Sequence, residues 1–272
     1  MQYEGNLRKM ATALDDEQAQ YTMRLYDVLD PHEEVPMNAF VGKEIELRFM
    51  DAIHCVVTGK KIKKTYGEGM SYDAFRSSPM AVESIVRPEL SRIHEGIALR
   101  DKEWEEKHHN QPHYVYLSLT SEVKVGVTRT VNLPHRWIDQ GAVQAILLAE
   151  TPYRQLAGLI EVDLKEMYAD KTNWRNMLKN VYDESTDLIA EKENILAALP
   201  EDYQEFVSDD DDITFISYPV LEYPEKVKSM KLGKEQVISG KLEGIKGQYL
   251  IFDGGRVMNV RSHSGYRVRL EV

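Results

Sequence analysis

Tyr116, Lys124, Arg136 and Glu161 are residue types that together handle phosphodiesters. A carboxylate holds a magnesium ion that keeps several of its waters. An arginine neutralises charge developing on a phosphate. A tyrosine, or a lysine of lowered pKa, deprotonates the attacking water. The stretch YVYLSLTSEVKVGVTR at 114–129 supplies the first two, and the arginine and the glutamate follow in that order. A single helical Glu is ordinarily solvated, so the order and spacing of the set carry its value.

Such residues need elements that hold them. YVYLSL reads as a strand, TSE as a turn and KVGVT as a second strand. NLPHRWIDQGA reads as a short helix with Asn132 as N-cap, Pro134 in its first turn and Gly141 as its stop. AVQAILLAET is a strand, and TPYRQLAGLIEVDLKEMY a helix capped by Thr151. The order is β-β-α-β-α. On the second helix Arg154, Ala157, Gly158, Glu161 and Lys165 share one face, and Leu156, Ile160, Leu164 and Met167 another. Gly inside a helix costs about 1 kcal/mol against Ala. Ala157-Gly158 therefore reads as room kept beside a carboxylate for a metal ion and a substrate. DKTNWRNMLKN, capped by Asp170 or Thr172, opens a long helix whose Leu178, Val181, Leu188, Ile195 and Leu199 keep helical spacing.

Both ends read as β. In GKEIELRF, Ile45, Leu47 and Phe49 alternate with Glu44, Glu46 and Arg48. Residues 225–272 hold hairpins around DGG, and their charge differs from the rest. Ten Lys/Arg oppose five Asp/Glu there, a net of +5, which leaves −16 for the remainder of a chain at −11. The expected class is α+β: a small mixed sheet with a β-β-α-β-α core, a long helix, and β-rich N- and C-terminal segments. The expected divisions are 1–112, 113–200 and 201–272, with SDDDD at 208–212 a solvated acidic linker. The two β-rich ends are expected to pack on each other.

The set YVYL, KVGVT, HRW and the later Glu resembles the GIY-YIG nuclease core. That resemblance implies Tyr116 as the first motif tyrosine, Gly126 as the motif glycine, Arg136 as the arginine, Glu161 as the magnesium ligand and Asn173 as the final asparagine. Lys124 stands where the second motif tyrosine is expected. A longer resemblance, through HYVYLSLTSEVKVGVTR, RWIDQGA, AGLIEV, DKTNWRNML and GIKGQYLIFDGG, is to a bacterial family classed as a domain of unknown function. It implies upstream cysteine pairs in the manner of a zinc ribbon. Here Cys55 is kept, while Thr58, Ser71, Ala74 and Ser91 stand at the other positions, so zinc is not expected.

Other residues divide between duty in the fold and duty at a site. His108, His109 and His113 read as an exposed polar loop, with a mixed zinc site alongside Cys55 as the alternative. Trp137 and Trp174 read as core anchors, and Asp139 as a local partner of Arg136. Arg129 and Lys171, with Lys246, Tyr249, Arg261 and Arg267 of the basic C-terminal face, are candidate nucleic-acid contacts, because basic residues interleaved with aromatics follow a backbone and stack bases. One cysteine excludes an intramolecular disulfide framework. No P-loop, no GxSxG elbow and no long apolar run occurs, which argues against a nucleotide-driven motor, a serine hydrolase or a membrane span. The reading is a cytoplasmic, magnesium-dependent nucleic-acid phosphodiesterase acting on DNA or RNA. The alternatives are a catalytically inactive nucleic-acid-binding protein and a protein-interaction scaffold.

Overall fold

The computed structural model describes residues 1–165 and 173–272. The chain forms two compact units. Unit 1 comprises Met1–Ser78, Ile138–Gly141 and Ser217–Val272; unit 2 comprises Pro79–Trp137 and Ala142–Ile216. The α+β class holds.

The first strands, β1 (Gln2–Leu7), β2 (Ala11–Asp15), β3 (Gln18–Asp27), β4 (Asp30–Pro36), β5 (Glu44–His54) and β6 (Lys61–Ile62), lead to the short helix α1 (Tyr72–Ser77). Unit 2 follows with α2 (Lys102–His109), β7 (His113–Leu119), β8 (Val123–Arg129), α3 (His135–Gln140), β9 (Gln144–Thr151), α4 (Arg154–Leu164), α5 (Trp174–Leu178), α6 (Leu188–Ala198) and β10 (Thr214–Phe215). Of α3, Ile138–Gln140 belong to unit 1. The chain then returns to unit 1 as β11 (Lys228–Ser229), β12 (Val237–Lys246), β13 (Tyr249–Phe252), β14 (Arg256–Asn259) and β15 (Tyr266–Glu271).

In unit 1 the two ends of the chain build one sheet, in the order β11-β14-β13-β12-β5-β15-β1-β3-β2, with β4 added to β3 and β6 to β5. β5 lies between β12 and β15, and β15 pairs antiparallel with β1. The period-2 pattern of β5 is realised, with Ile45 and Leu47 buried while Glu44 and Arg48 are exposed.

Unit 2 holds an antiparallel sheet in the order β10-β9-β7-β8. One face carries Val115, Leu117 and Val127, which pack with Ala157, Ile160 and Leu164 of α4 and Leu188 and Ile195 of α6. Alternation places Tyr116, Ser118 and Gly126 on the other face. The register of β7 against β9 slips by one residue between Val115 and Tyr116. Such a bulge re-aims the side chains beside it.

Several local expectations change. The long helix is two. Asn180 takes a left-handed φ of 56° after α5, and Asp187 starts α6 afresh by accepting from Ile189 and Ala190 N–H. Asp170 and Thr172 lie outside the described residues; the cap of α5 is Asn173. Thr151 does not cap α4. It ends β9, and its hydroxyl donates to the carbonyls of His113 and Tyr153. Asn132 does not cap α3 but closes a 3₁₀ turn at Thr130–Asn132, with contacts to Thr128 and Arg129. Gly141 does end α3, at φ 75°. The acidic stretch 209–212 is exposed, yet it is fastened: the buried Lys192 ammonium donates to Ser208 O, Asp210 O and the Asp211 carboxylate at 2.7–2.8 Å.

Candidate active site

The β7–β8 hairpin fixes the first part of the site. Tyr116 lies directly across from Gly126, and Ser118 across from Lys124. Tyr116 has no exposed surface. A Cβ built on Gly126 would stand 2.5 Å from the Tyr116 hydroxyl, so glycine at 126 is what lets the phenol lie flat over β8. Trp137 of α3 meets the Tyr116 ring edge-on, with centroids 6.0 Å apart. That contact seats the start of α3, and hence Arg136, beside the tyrosine. Trp137 is buried, as a core anchor should be.

α4 supplies the second part. Arg154 is pinned by donating from Nε to Ser84 O at 2.7 Å and from a terminal nitrogen to Ile85 O at 2.9 Å. Burial pushes its guanidinium down to about 10. The Glu161 carboxylate opposes that shift, and the Arg136 and Arg129 charges add to it. Arg129, Arg136, Arg154 and Glu161 therefore share one electrostatic neighbourhood. Burial likewise holds the Arg129 guanidinium below its ordinary value. Glu161 is largely shielded and faces Lys165 one turn on, at 3.8 Å.

Gly158 does not leave the expected space for a metal ion and substrate. The Pro88–Glu89 backbone fills it so closely that any Cβ would collide. This glycine serves close approach of a helix to a neighbouring turn. Asn173 also has a duty in the fold: its carboxamide oxygen accepts from Arg175 and Asn176 N–H at 3.2 Å, and its own N–H donates to Ser121 Oγ in the β7–β8 turn. It ties α5 to the hairpin.

The basic C-terminal face is corrected. Lys246 has no exposed surface and lies over the rings of Tyr218 and Tyr223, at 5.0 and 5.4 Å. Arg267 pairs with Glu4 and Asp27, Arg269 with Glu4, Arg261 with Glu68, and Arg256 with Asp253. Tyr249 is half-buried. Five of the ten cations of 225–272, Lys241 beside Glu243 included, thus face carboxylates. Lys171 lies outside the described residues. Asp139 pairs with Lys9 and accepts from Gln248 at 2.7 Å, not with Arg136.

The histidines are not an exposed loop. His109 and His113 are buried, and their Nε2 atoms have no hydrogen-bond partner. Burial holds them at about 3 and about 4, with Arg154 contributing to both. His109 Nδ1 faces the hydroxyls of Ser84 and Ser91, both at 3.4 Å. Among the described residues no three His, Cys, Asp or Glu gather as a metal set. At Cys55 two of the substituted positions, Thr58 and Ser71, supply hydrogen bonds to the sulfur. Burial alone would raise the thiol, but Thr58 and the N–H groups of Ser71, Thr58 and Val57 outweigh it and hold it at about 7. The Ser71 N–H lies 3.1 Å from Sγ. Ser71 also caps α1, its hydroxyl accepting from Ala74 N–H.

Sequence reasoning missed Arg154 and the two histidines as parts of this region. A faint signal existed for Arg154, two turns before Glu161 on the same helical face. The burial of His109 depends on the irregular stretch 79–100, which supplies Ser84 and Ser91.

This chain belongs to a family. The profile described as Protein of unknown function (DUF2797) matches residues 42–268. The match takes in the whole hairpin, α3, α4 and the returning strands β11 to β14. No curated protein and no solved structure matches the chain. No helix among the described residues is long and apolar enough to cross a membrane.

Proposed function

We propose that unit 2 is a magnesium-dependent phosphodiesterase acting on nucleic acid, related in layout to the GIY-YIG nucleases. The observation that carries this reading is the electrostatic coupling of Arg129, Arg136 and Glu161 to the half-buried Arg154, together with a tyrosine laid across a glycine in paired strands. Three guanidiniums and one carboxylate suit an anionic diester with its cation. A single carboxylate is a sufficient protein ligand for magnesium, which fills its shell with waters and phosphate oxygens. Glu161 is the residue that would hold it, and the ion would polarise the phosphate. Lys165 is the competing cation that it would displace.

The chain's own groups divide the remaining work. Arg136 and Arg129 bind and neutralise the phosphate. Arg154, already committed to two carbonyls, positions Glu161 electrostatically. Of the two candidate bases, Tyr116 is closed to solvent while Lys124 is half-buried. Lys124 is therefore the group assigned to proton transfer, and the Tyr116 ring sets the floor of the site. Asn173 acts through α5.

The test is cleavage of labelled single- and double-stranded DNA and RNA with Mg²⁺ or Mn²⁺, comparing wild type with Glu161→Ala and Arg136→Ala. Metal-dependent cutting, lost by roughly a hundredfold or more in each variant, is the expected outcome. Absence of cutting on every substrate, with salt-sensitive binding retained, would replace this reading with that of an inactive binder.

A further inference from the structure

A second basic region lies elsewhere, in unit 1, and it differs from the C-terminal segment. Residues 60–76, KKIKKTYGEGMSYDAFR, contain Lys60, Lys61, Lys63, Lys64 and Arg76 against Glu68 and Asp73, a net of +3 within a chain at −11. All five cations are exposed. Among the described residues none of the five has a carboxylate within ion-pair distance, and Glu68 is taken by Arg261. Beside them stand three rings. Tyr72 is 53% and Phe75 37% exposed. Tyr66 packs on both, with centroids 5.2 and 6.4 Å away. Lys64 lies over the Tyr66 ring at 5.1 Å and Arg76 over the Tyr72 ring at 5.9 Å.

The fold holds this arrangement in place. β6 pairs with the end of β5, aligning His54 with Lys61 and Ile53 with Ile62. The Cys55 N–H donates to Lys60 O, Val56 N–H to Gly69 O, and Ser71 N–H to the Cys55 sulfur. The turn bearing the lysines and the turn bearing the rings are thus fastened to one buried residue. Gly69, at φ 94°, sits against the Ser264 carbonyl and fixes the second turn to the sheet.

We propose that Lys60–Arg76 is a docking surface for single-stranded nucleic acid, with the lysines on the phosphates and Tyr72 and Phe75 under the bases. Charge complementarity identifies a polyanion: unpaired cations gain by releasing its counterions. The exposed rings narrow it to an unpaired strand, because a duplex hides the base faces that stack on aromatics. A cation over two of the three rings adds polar character to the platform. A bilayer surface would favour an apolar wedge instead. The surface stands apart from the phosphodiesterase reading and does not depend on it.

The experiment is fluorescence anisotropy with the full chain, metal chelated, and a labelled deoxythymidine oligomer about 20 nucleotides long, a length that covers one or more ordinary sites. Lys63→Glu/Lys64→Glu should weaken binding by roughly tenfold or more and flatten the salt dependence by about 0.7 per lost phosphate contact. Tyr72→Ala/Phe75→Ala should weaken it by roughly tenfold with the salt slope unchanged. Should that double variant unfold, Tyr72→Ala alone makes the same test at an exposed position. Unchanged affinity in the charge and ring variants, with loss in Arg136→Ala, would overturn the proposal while leaving the active-site reading intact. Equal affinity for duplex and single strand, insensitive to ring removal, would overturn it too. So would capture by phosphatidylserine vesicles without oligonucleotide binding.

Discussion

Lys192 in unit 2 and Lys246 in unit 1 are both shut away from solvent, and the two units treat them differently. The Lys192 ammonium meets three oxygens, two of them backbone carbonyls of the acidic loop and the third a carboxylate. It sits where a cation would be expected among aspartates. Lys246 lies over two tyrosine rings, and burial pushes its ammonium down to about 7. Acceptors around a buried charge hold it in place, and desolvation pushes it toward neutrality. The first lysine is a fastener, and the second is poised to lose its proton.

Lys192→Met is the largest expected perturbation. It removes all three hydrogen bonds of the buried ammonium and releases the 208–212 loop, so unfolding free energy should fall by about 3 kcal/mol in a urea titration. A loss below about 1 kcal/mol would show that the loop holds itself, and would break the contrast.

Lys246→Met comes next, and its signature is a pH profile. The folded pKa of about 7 lies below the ordinary 10.5. Between these values the unfolded chain binds more protons, so the wild type gains stability as pH rises through that window and is flat below it. Relative to Lys246→Met, the wild type should gain about 2 kcal/mol from pH 7 to pH 9. A constant difference across that range would mean that Lys246 keeps an ordinary ionisation.

Asp211→Asn should matter least. The Asp211 side chain is 66% exposed, and its share of the Lys192 clamp is screened. A change of about 0.5 kcal/mol or less, fading in salt, is expected. A loss matching that of Lys192→Met would move the strength of the clamp from the carbonyls to the ion pair.

Much of unit 2 was legible because its signals are local. Alternation in YVYL and KVGV, the Gly141 stop and the apolar face of α4 each act within a few residues. The same local logic failed at the helix breaks, where Asn180 adopts a conformation that the heptad-like spacing of leucines does not reveal. It also failed at Gly158. A glycine looks the same in sequence whether it leaves space open or lets another backbone fill it, and Pro88–Glu89 lies seventy residues away.

The sequence by itself determined the β-β-α-β-α order, the single cysteine, the hairpin that carries Tyr116 and Lys124, and the order Tyr, Lys, Arg, Glu. Those depend on backbone periodicity and residue chemistry. The tertiary structure decided which charges are available. It set Arg267 and Arg269 against Glu4 from the opposite end of the chain, enclosed Lys246, brought Arg129 and Arg136 within electrostatic influence of Arg154, and left the lysines of residues 60–64 exposed. Net charge is a sum over residues, whereas an ion pair and a desolvation are properties of distance and surroundings, and strand partners more than 200 residues apart set both.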